Sequence, residues 1–518
     1  MKTLKNLQDK TPEELISLVN SLVENYEQKL QQRDTFIDAL QQELQLAKLR
    51  HYGRKSEKDL DGAIQSDLFD EAIAPNNSDE IETVEASITV SSHKRKKSGR
   101  KPLPKDLPRV QQIHDLADNE KVCCCGVELT QIGTETSEQL DIIPAKVQVI
   151  EHVRLKYACK ACEETIATAA APKLPIPKSI ATPGTLAHVL VSKYKDHLPL
   201  YRQESIFQRM GVDIARNTLS NWVIKAADVV LPIYQRLQQN IIDYDIAYAD
   251  ETRVQVLKEP GRDATSHSYM WTVIGGPPDK RSIIYHYDPG RAHTVIEDIL
   301  LDFKGYLHCD GFTGYDTYAA DHDVQLIGCW MHGRRRFAEI VKMTKSKGLA
   351  HKAVALIAKL YKYEKHIKEN NYSVEQTYQY RIEQSKPALD TFKQWLNDNY
   401  HKVSPKSPIG KAIKYCINQW PKLISYLEDG RLEIDNGLSE RTIKPFVIGR
   451  KNWMFSTSIA GVKAGQIIYS IIETCAAHKI EPYAYFRYVL TTLPQMKHGD
   501  SAESLLPFNI DQELIKKY

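Results

Sequence analysis

The chain has 518 residues, 42% hydrophobic and 26% charged, too long for one ordinary core and suited to a soluble protein of about three or four domains. It contains no run of about 18 apolar residues, and the N-terminal MKTLKNLQDKTPEE lacks the apolar core of a signal peptide. These features argue against a membrane-spanning helix and a secretion signal, and predict a cytoplasmic protein. The net charge of +3 argues weakly against a polyanionic partner, but the charge is unevenly spread. Asp59 to Glu85 is acidic, whereas His93 to Lys105 carries seven Lys or Arg and no acid.

From residue 12 to about 50, Leu15, Val19, Leu22, Tyr26, Phe36, Leu40 and Ala47 recur at steps of three and four, interrupted at Lys29 and Arg33. The pattern reads as a short, imperfect coiled coil able to dimerise, or as one amphipathic helix lying on its own domain. Residues 56–108 have a linker composition. Within them Lys94, Arg95, Lys96, Lys97, Arg100 and Lys101 form a basic arm, either solvated or tracking phosphates and entering a minor groove. The nine cysteines are clustered, which without a secretion signal favours metal over disulfides. Cys123 and Cys125 face Cys159 and Cys162 across an extended segment from Glu138 to Tyr157 with alternating Val147, Val149, Val153 and Leu155. Two thiol pairs on short turns suit a tetrahedral structural zinc, although Cys124 can replace either neighbour in the first pair and plain buried or redox thiols are the alternative.

Residues 184–228 read as helical and contain a helix, a glycine-bearing turn and a second helix starting at Arg216 or Asn217. Thr218, Ser220 and Asn221 should face outward there, with Leu219 and Trp222 inward, as in a helix-turn-helix; any two helices joined by a turn give the same pattern. From Asp245 the periodicity changes. Ile246 to Leu257, Ser268 to Ile274 and Ser282 to Tyr287 read as strands, Ala292 to Leu301 as helix, and Gly305 to Cys309 as strand. A short helix near Tyr315, a strand from Val324 to Cys329 and a helix from Met331 follow.

This order, βββαβαβα, is that of ribonuclease-H-like nucleases. Asp250 falls on the first strand, Asp310 just after the fourth, and Glu440 on a late helix reached across a helical stretch from about 345 to 425. Three such carboxylates can hold a pair of divalent ions for phosphoryl transfer. Glu251 should point to the opposite strand face, leaving only one of the two neighbours to join Asp310. Asp435 reads as the N-cap of the last helix, Asp316 and Asp288 as surface or turn residues, and Cys309 and Cys329 as core. His332, Arg334, Arg335 and Arg336 form either a charged helix face or a phosphate clamp. Arg441 and Lys444 are placed to take phosphates, and Arg450, Lys451, Asn452 and Trp453 to hold a DNA strand.

The fragments GRKPLPKDLPRV, YACKACE, DHLPLYRQESIF, ADETRVQVL, CDGFTGYDTY, CWMHGRRRF and the run from Asp435 to Cys475 together resemble the large transposase of the insertion-sequence-66 family. The resemblance covers nearly the whole chain and implies a multidomain α+β protein. Its parts would be a coiled-coil segment (1–55), an acidic then basic linker (56–108), a zinc-binding module (109–175) and a helix-turn-helix region (176–240). A DDE catalytic domain with helical insertion (241–460) and a C-terminal helical region (461–518) would complete it. It further implies that Asp250, Asp310 and Glu440 bind two Mg²⁺ or Mn²⁺ ions and that Cys123, Cys125, Cys159 and Cys162 hold zinc. The family often has C-x-x-C-G where this chain has Val122 to Gly126, which leaves Cys123 or Cys124 as the first ligand. The implied activity is cleavage at terminal inverted repeats followed by attack of the freed 3′ hydroxyl on target DNA, with accessory proteins of the same element as further partners. A homodimer is the expectation from the N-terminal helix, and the protein would associate with the nucleoid. A DNA-binding regulator without chemistry and a structure-selective nuclease are the rival readings.

Overall fold

The computed structural model describes residues 11–52, 147–158, 166–343, 348–497 and 499–516. The chain divides into one unit of residues 1–69 and 154–518 and a second of residues 70–153. In the second, the described residues 147–153 are exposed and have no regular structure.

In the first unit, α1 spans Pro12–Tyr52, matching the helix read from the heptad-like pattern. Val19, Leu22, Tyr26 and Leu40 of its apolar stripe are exposed. Strands β1 (Lys156–Ala158) and β2 (Ile166–Thr168) pair antiparallel. The long extended segment expected up to Tyr157 is therefore a strand, among its described residues, only at its end. Val147, Val149, Val153 and Leu155 remain exposed, so their alternation is not used to bury one face. Cys159 and Cys162 fall between β1 and β2 and, like Cys123, Cys124, Cys125 and the basic arm from Lys94 to Lys101, lie outside the described residues.

Helix α2 is Pro183–Tyr194, with Pro183 at its first turn and the Thr182 side chain accepting the Thr185 N–H, a sequence-encoded start. Helices α3 (Leu200–Arg209) and α4 (Arg216–Ile242) follow. Leu219 and Trp222 are buried and Asn221 exposed, as the sequence predicts, whereas Thr218 and Ser220, expected outward, are half-buried; Arg216 and Asn217 before them are exposed. The helix runs well past the expected end, because Val230, Ile233, Leu237 and Ile241 extend its buried stripe.

The central sheet is built from β3 (Ile246–Lys258), β4 (His267–Gly275), β5 (Ser282–Asp288), then α5 (His293–Leu300), β6 (Gly305–Cys309), α6 (Thr313–Asp321), β7 (Val324–Gly328) and α7 (Trp330–Met343). Every element stands within two residues of its expected bounds where bounds were expected. The strand order is β5-β4-β3-β6-β7, with the first three antiparallel and β3, β6 and β7 parallel. Gly305 allows β6 to enter beside β3: its φ is 125°, and a Cβ there would lie 2.3 Å from the Asp245 carbonyl oxygen.

A helical insertion follows, with α8 (Leu349–Glu369), α9 (Val374–Tyr380), α10 (Lys386–Tyr400), α11 (Pro408–Asn418) and α12 (Trp420–Ile424). Its buried Arg381 pairs with Glu364 at 2.7 Å and donates to the carbonyls of Tyr426 and Asp429, so a costly interior charge is fully partnered. The chain then returns as α13 (Gly437–Trp453), β8 (Ser456–Ser458), α14 (Ile459–Ala477) and α15 (Pro482–Thr492). Strand β8 pairs with β3 beyond the antiparallel ladder.

Helix α14 closes the sheet edge. Its side chains Gln466, Ser470 and Thr474, one turn apart, accept the N–H groups of Tyr287, Tyr285 and Ile283 on β5, at 2.9, 2.8 and 3.1 Å. A buried edge strand thus has these donors satisfied by a helix in place of another strand. Replacing Ser470 by Ala leaves the Tyr285 N–H without its acceptor, and the expected loss is about 1–3 kcal/mol in urea unfolding. An unchanged midpoint would mean that this contact does not hold the edge.

Candidate active site

Asp250 lies on β3, and Asp310 immediately follows β6, the parallel neighbour of β3. Glu440 lies in the first turn of α13. The tether that brings α13 to the strands is Asn436, its N-cap: the buried side chain donates from Nδ2 to the carbonyl of Ala249 at 2.8 Å, and its backbone N–H meets Cys329 Sγ at 3.3 Å. The N-cap is thus Asn436, not Asp435. Asp435 stands one residue earlier, where Oδ1 accepts the Gly437 N–H at 2.9 Å and Oδ2 accepts the Tyr361 hydroxyl at 2.9 Å. It still serves a free first-turn donor, but as a two-residue turn.

The site crowds negative charge. Burial, then the charge of Glu251, pushes the Asp250 carboxyl up to about 8; Glu440 and Asp310 add to the rise, and the Glu251 N–H, 2.9 Å from Oδ1, opposes it. Glu251 is also raised, first by burial and then by Asp310. Glu251 does point elsewhere, to Arg291 Nε at 2.8 Å and the Tyr315 hydroxyl at 2.8 Å, but Asp310 at the strand end acts on both residues. Arg291 in turn stacks over Phe312 at 4.0 Å. Asp310 is oriented by the Phe312 N–H, 2.8 Å from Oδ1. At Gly311 a Cβ would come within 3.0 Å of the Tyr415 ring, so a larger residue beside Asp310 would crowd it.

Several predicted basic residues converge here. Arg335 is 3.3 Å from Glu440 Oε2, and His332 Nε2 is 3.7 Å from Oε1. Arg336 lies over Tyr415 at 4.0 Å. Arg450 donates to Thr252, two residues beyond Asp250 on the same strand face, at 3.2 Å, and burial lowers its pKa. Arg441, Lys444, Lys451 and Asn452 are exposed along α13. Trp453 is half-buried with its ring edge-on to Phe446, so only part of it faces solvent; Met454 and Phe455 are the exposed apolar groups at that end. Asp316 pairs with Lys422 at 2.5 Å, and Asp288 accepts the Gly290 N–H, in line with surface and turn roles. Cys309 and Cys329 are buried, as expected. Sequence reasoning weighed Glu251 beside Asp250 but missed its partners Arg291 and Tyr315, and it missed Asn436.

Asp250 within β3, Asp310 just after its parallel neighbour β6 and Glu440 on α13, with arginines around them, make a carboxylate cluster of the kind that can hold divalent ions for phosphoryl transfer. Residues 178–464 match the transposase IS66 family, residues 120–163 the zinc-finger binding domain of transposase IS66, 39–111 "Transposase C of IS166 homeodomain", and 470–508 the IS66 C-terminal element. Three relatives come from Sinorhizobium fredii. The chain is 35% identical to the protein y4jD over 79% of this chain and 81% of the relative. It is 29% identical to y4qI over 84% of each, and 28% identical to y4hP over 87% of this chain and 85% of the relative. The chain belongs to the IS66 transposase family, whose DDE-type enzymes cut and transfer DNA strands.

The raised Asp250 pKa has a direction that can be measured. Relative to an unfolded Asp near 3.9, its contribution favours the folded metal-free protein below about pH 4 and is lost as pH rises through about 8. Asp250→Asn removes that titration. The thermal midpoint of the variant should therefore gain on wild type between pH 5 and pH 8.5 without divalent ions, by an amount on the order of 1–3 kcal/mol. Parallel pH curves would contradict the assigned crowding.

Proposed function

We propose that this transposase uses a ribonuclease-H-like core in which Asp250, Asp310 and Glu440 hold two Mg²⁺ or Mn²⁺ ions. The observation that carries the proposal is geometric: Asp250 on β3, Asp310 just after the parallel strand β6 and Glu440 on α13, whose N-cap Asn436 is bonded to the Ala249 carbonyl. The raised Asp250 carboxyl, pushed up by burial and then by its acidic neighbours, is what bound cations would relieve. The all-oxygen donor set of the three acids suits hard divalent ions. When bound, such ions supply Lewis-acid activation of the attacking oxygen and stabilise the leaving one. The strand order, with the first acid on the central strand and the second after its parallel neighbour, supports the fold assignment.

The protein's own groups then have distinct tasks. Asn436 fixes the helix of Glu440 to the strand of Asp250. Arg291 holds Glu251 aside, limiting its competition with Asp250. Arg335 keeps Glu440 directed and, with Arg336, Arg441, Lys444, Arg450, Lys451 and Asn452, would bind DNA phosphates. His332, with Nε2 3.7 Å from Glu440 Oε1, would join them in binding DNA. Arg216, Asn217, Thr218, Ser220 and Asn221 at the start of α4 would read the terminal inverted repeats as the second helix of a helix-turn-helix, and the basic arm would follow the backbone.

Zinc would be held by Cys123 or Cys124 with Cys125, Cys159 and Cys162. The match of residues 120–163 to the zinc-finger binding domain of transposase IS66 supports that reading. The exposed stripe of α1 supports a homodimer that brings two DNA ends together. The domain division 1–55, 56–108, 109–175, 176–240, 241–460 and 461–518 remains our assignment, as does an encounter with accessory proteins of the element.

The test is strand cleavage on DNA carrying the terminal inverted repeats, with Mg²⁺ or Mn²⁺. Asp310→Asn should lower the rate by about 10³-fold or more while leaving end binding intact, since it removes a carboxylate from the reacting centre but keeps its size. Cleavage that persists in the variant would refute the site; cutting that ignores the end sequence would favour a structure-selective nuclease.

A further inference from the structure

Among the described residues, one group of metal-ligating side chains closes more tightly than the three acids do, and it contains a thiol. Cys329 ends the loop after β7, His332 follows one helical turn into α7, and Glu440 faces them from α13. One ligand atom from each lies within 4.8 Å of the others. His332 Nε2 and Glu440 Oε1 are already 3.7 Å apart, close to the roughly 3.4–3.8 Å between ligands around a tetrahedral zinc. The buried Glu440 Oε1 and His332 Nδ1 make no hydrogen bond, an unusual state for interior polar atoms. Arg335 engages the other Glu440 oxygen, leaving Oε1 for a ligand. The Asn436 N–H, 3.3 Å from Cys329 Sγ, holds the sulfur in place facing Glu440's helix.

We propose that Cys329, His332 and Glu440 form a soft-metal site for a zinc-class ion, separate from the cysteine module, and that occupancy there draws Glu440 away from the Mg²⁺ site. The thiolate, imidazole and carboxylate donors suit Zn²⁺ or Co²⁺, whereas Mg²⁺ takes oxygen ligands and avoids sulfur. Three protein ligands leave the fourth position open to water or a phosphate oxygen. Metal binding at this site stands independently of the proposed function; the withdrawal of Glu440 rests on it. Zinc would then hold the enzyme inactive through the same carboxylate that Mg²⁺ needs.

The experiment uses full-length protein whose cysteine module is already loaded with zinc, titrated with Co²⁺ and followed by thiolate-to-cobalt absorption. Wild type should take up one more Co²⁺ than Cys329→Ser or His332→Ala, with loss of the new thiolate band in the first variant. Affinity should fall at least by the roughly 10–100-fold that follows loss of a ligand's supporting partner. Asp250→Asn should keep the thiolate-to-cobalt band and the affinity it reports, whatever Co²⁺ the carboxylate centre itself loses, which separates this site from that centre. Should Cys329→Ser fail to fold, His332→Gln, at a partly exposed residue, provides the same comparison. Equal uptake and identical spectra in all variants would overturn the site. Lost uptake in the variants, with Zn²⁺ suppressing wild-type and Cys329→Ser cleavage equally, would overturn the withdrawal of Glu440. If end cleavage is absent altogether, the proposed function fails while the cobalt spectrum still decides the metal site.

Discussion

The site depends on one constraint: carboxylates that repel one another must be held together by a scaffold stiff enough to resist the repulsion. Burial first, and then the charges of Glu251, Glu440 and Asp310, push the Asp250 carboxyl up to about 8, and burial and Asp310 raise Glu251 as well. The scaffold answers at Asn436. Its amide fastens the start of α13 to the strand carbonyl just before Asp250, and its backbone N–H faces Cys329, so β3, the loop after β7 and α13 meet at a single buried residue. Glu440 reaches the strands because Asn436 is fixed there, despite the helical insertion between.

The remaining architecture stiffens this meeting point. Trp330, fully buried, donates its ring N–H to the Leu423 carbonyl at 2.7 Å and ties the start of α7 to the insertion. The partnered Arg381–Glu364 pair locks the insertion's own interior. On the far side, Gln466, Ser470 and Thr474 of α14 complete the hydrogen bonding of β5, which seals the sheet edge and keeps β3 in its central place. Counter-charges are spent close to the acids: Arg291 on Glu251 and Arg335 on Glu440. These pairs reduce repulsion in the metal-free protein, and their guanidinium groups are the kind that can turn to phosphate when DNA arrives.

Much of this was legible in the sequence because local periodicity encodes it. The three strands, the alternating helices and the last parallel strands follow from apolar spacing, and the sequence placed Asp250 on the first strand, Asp310 just after the fourth and Glu440 on a late helix, which is where those residues stand. Leu219 and Trp222 turned inward as a helical period requires. What escaped were relations that only tertiary contact creates. Strand alternation sends Glu251 away from Asp250 but does not show that Asp310, at a strand end, acts on both. Capping preference selects Asp435, yet the register of α13 is set by the hydrogen bond of Asn436 to β3. Alternation around Val147 to Leu155 suggested a long strand, although those side chains lack a face to bury against. The polar ridge of α14 reads as ordinary helix surface until the open edge of β5 is placed beneath it.

The central claim is that the crowded carboxylates form a two-ion site, and counting Mn²⁺ by electron paramagnetic resonance on protein bound to uncleaved end DNA tests it most directly. Wild type should bind two coupled Mn²⁺ ions per active site, because paired sites lie about 3.5–4 Å apart, and Asp250→Asn should lose the coupled signal while remaining on DNA. A coupled pair that survives Asp250→Asn, or Mn²⁺ bound only as isolated ions in wild type, would contradict the account.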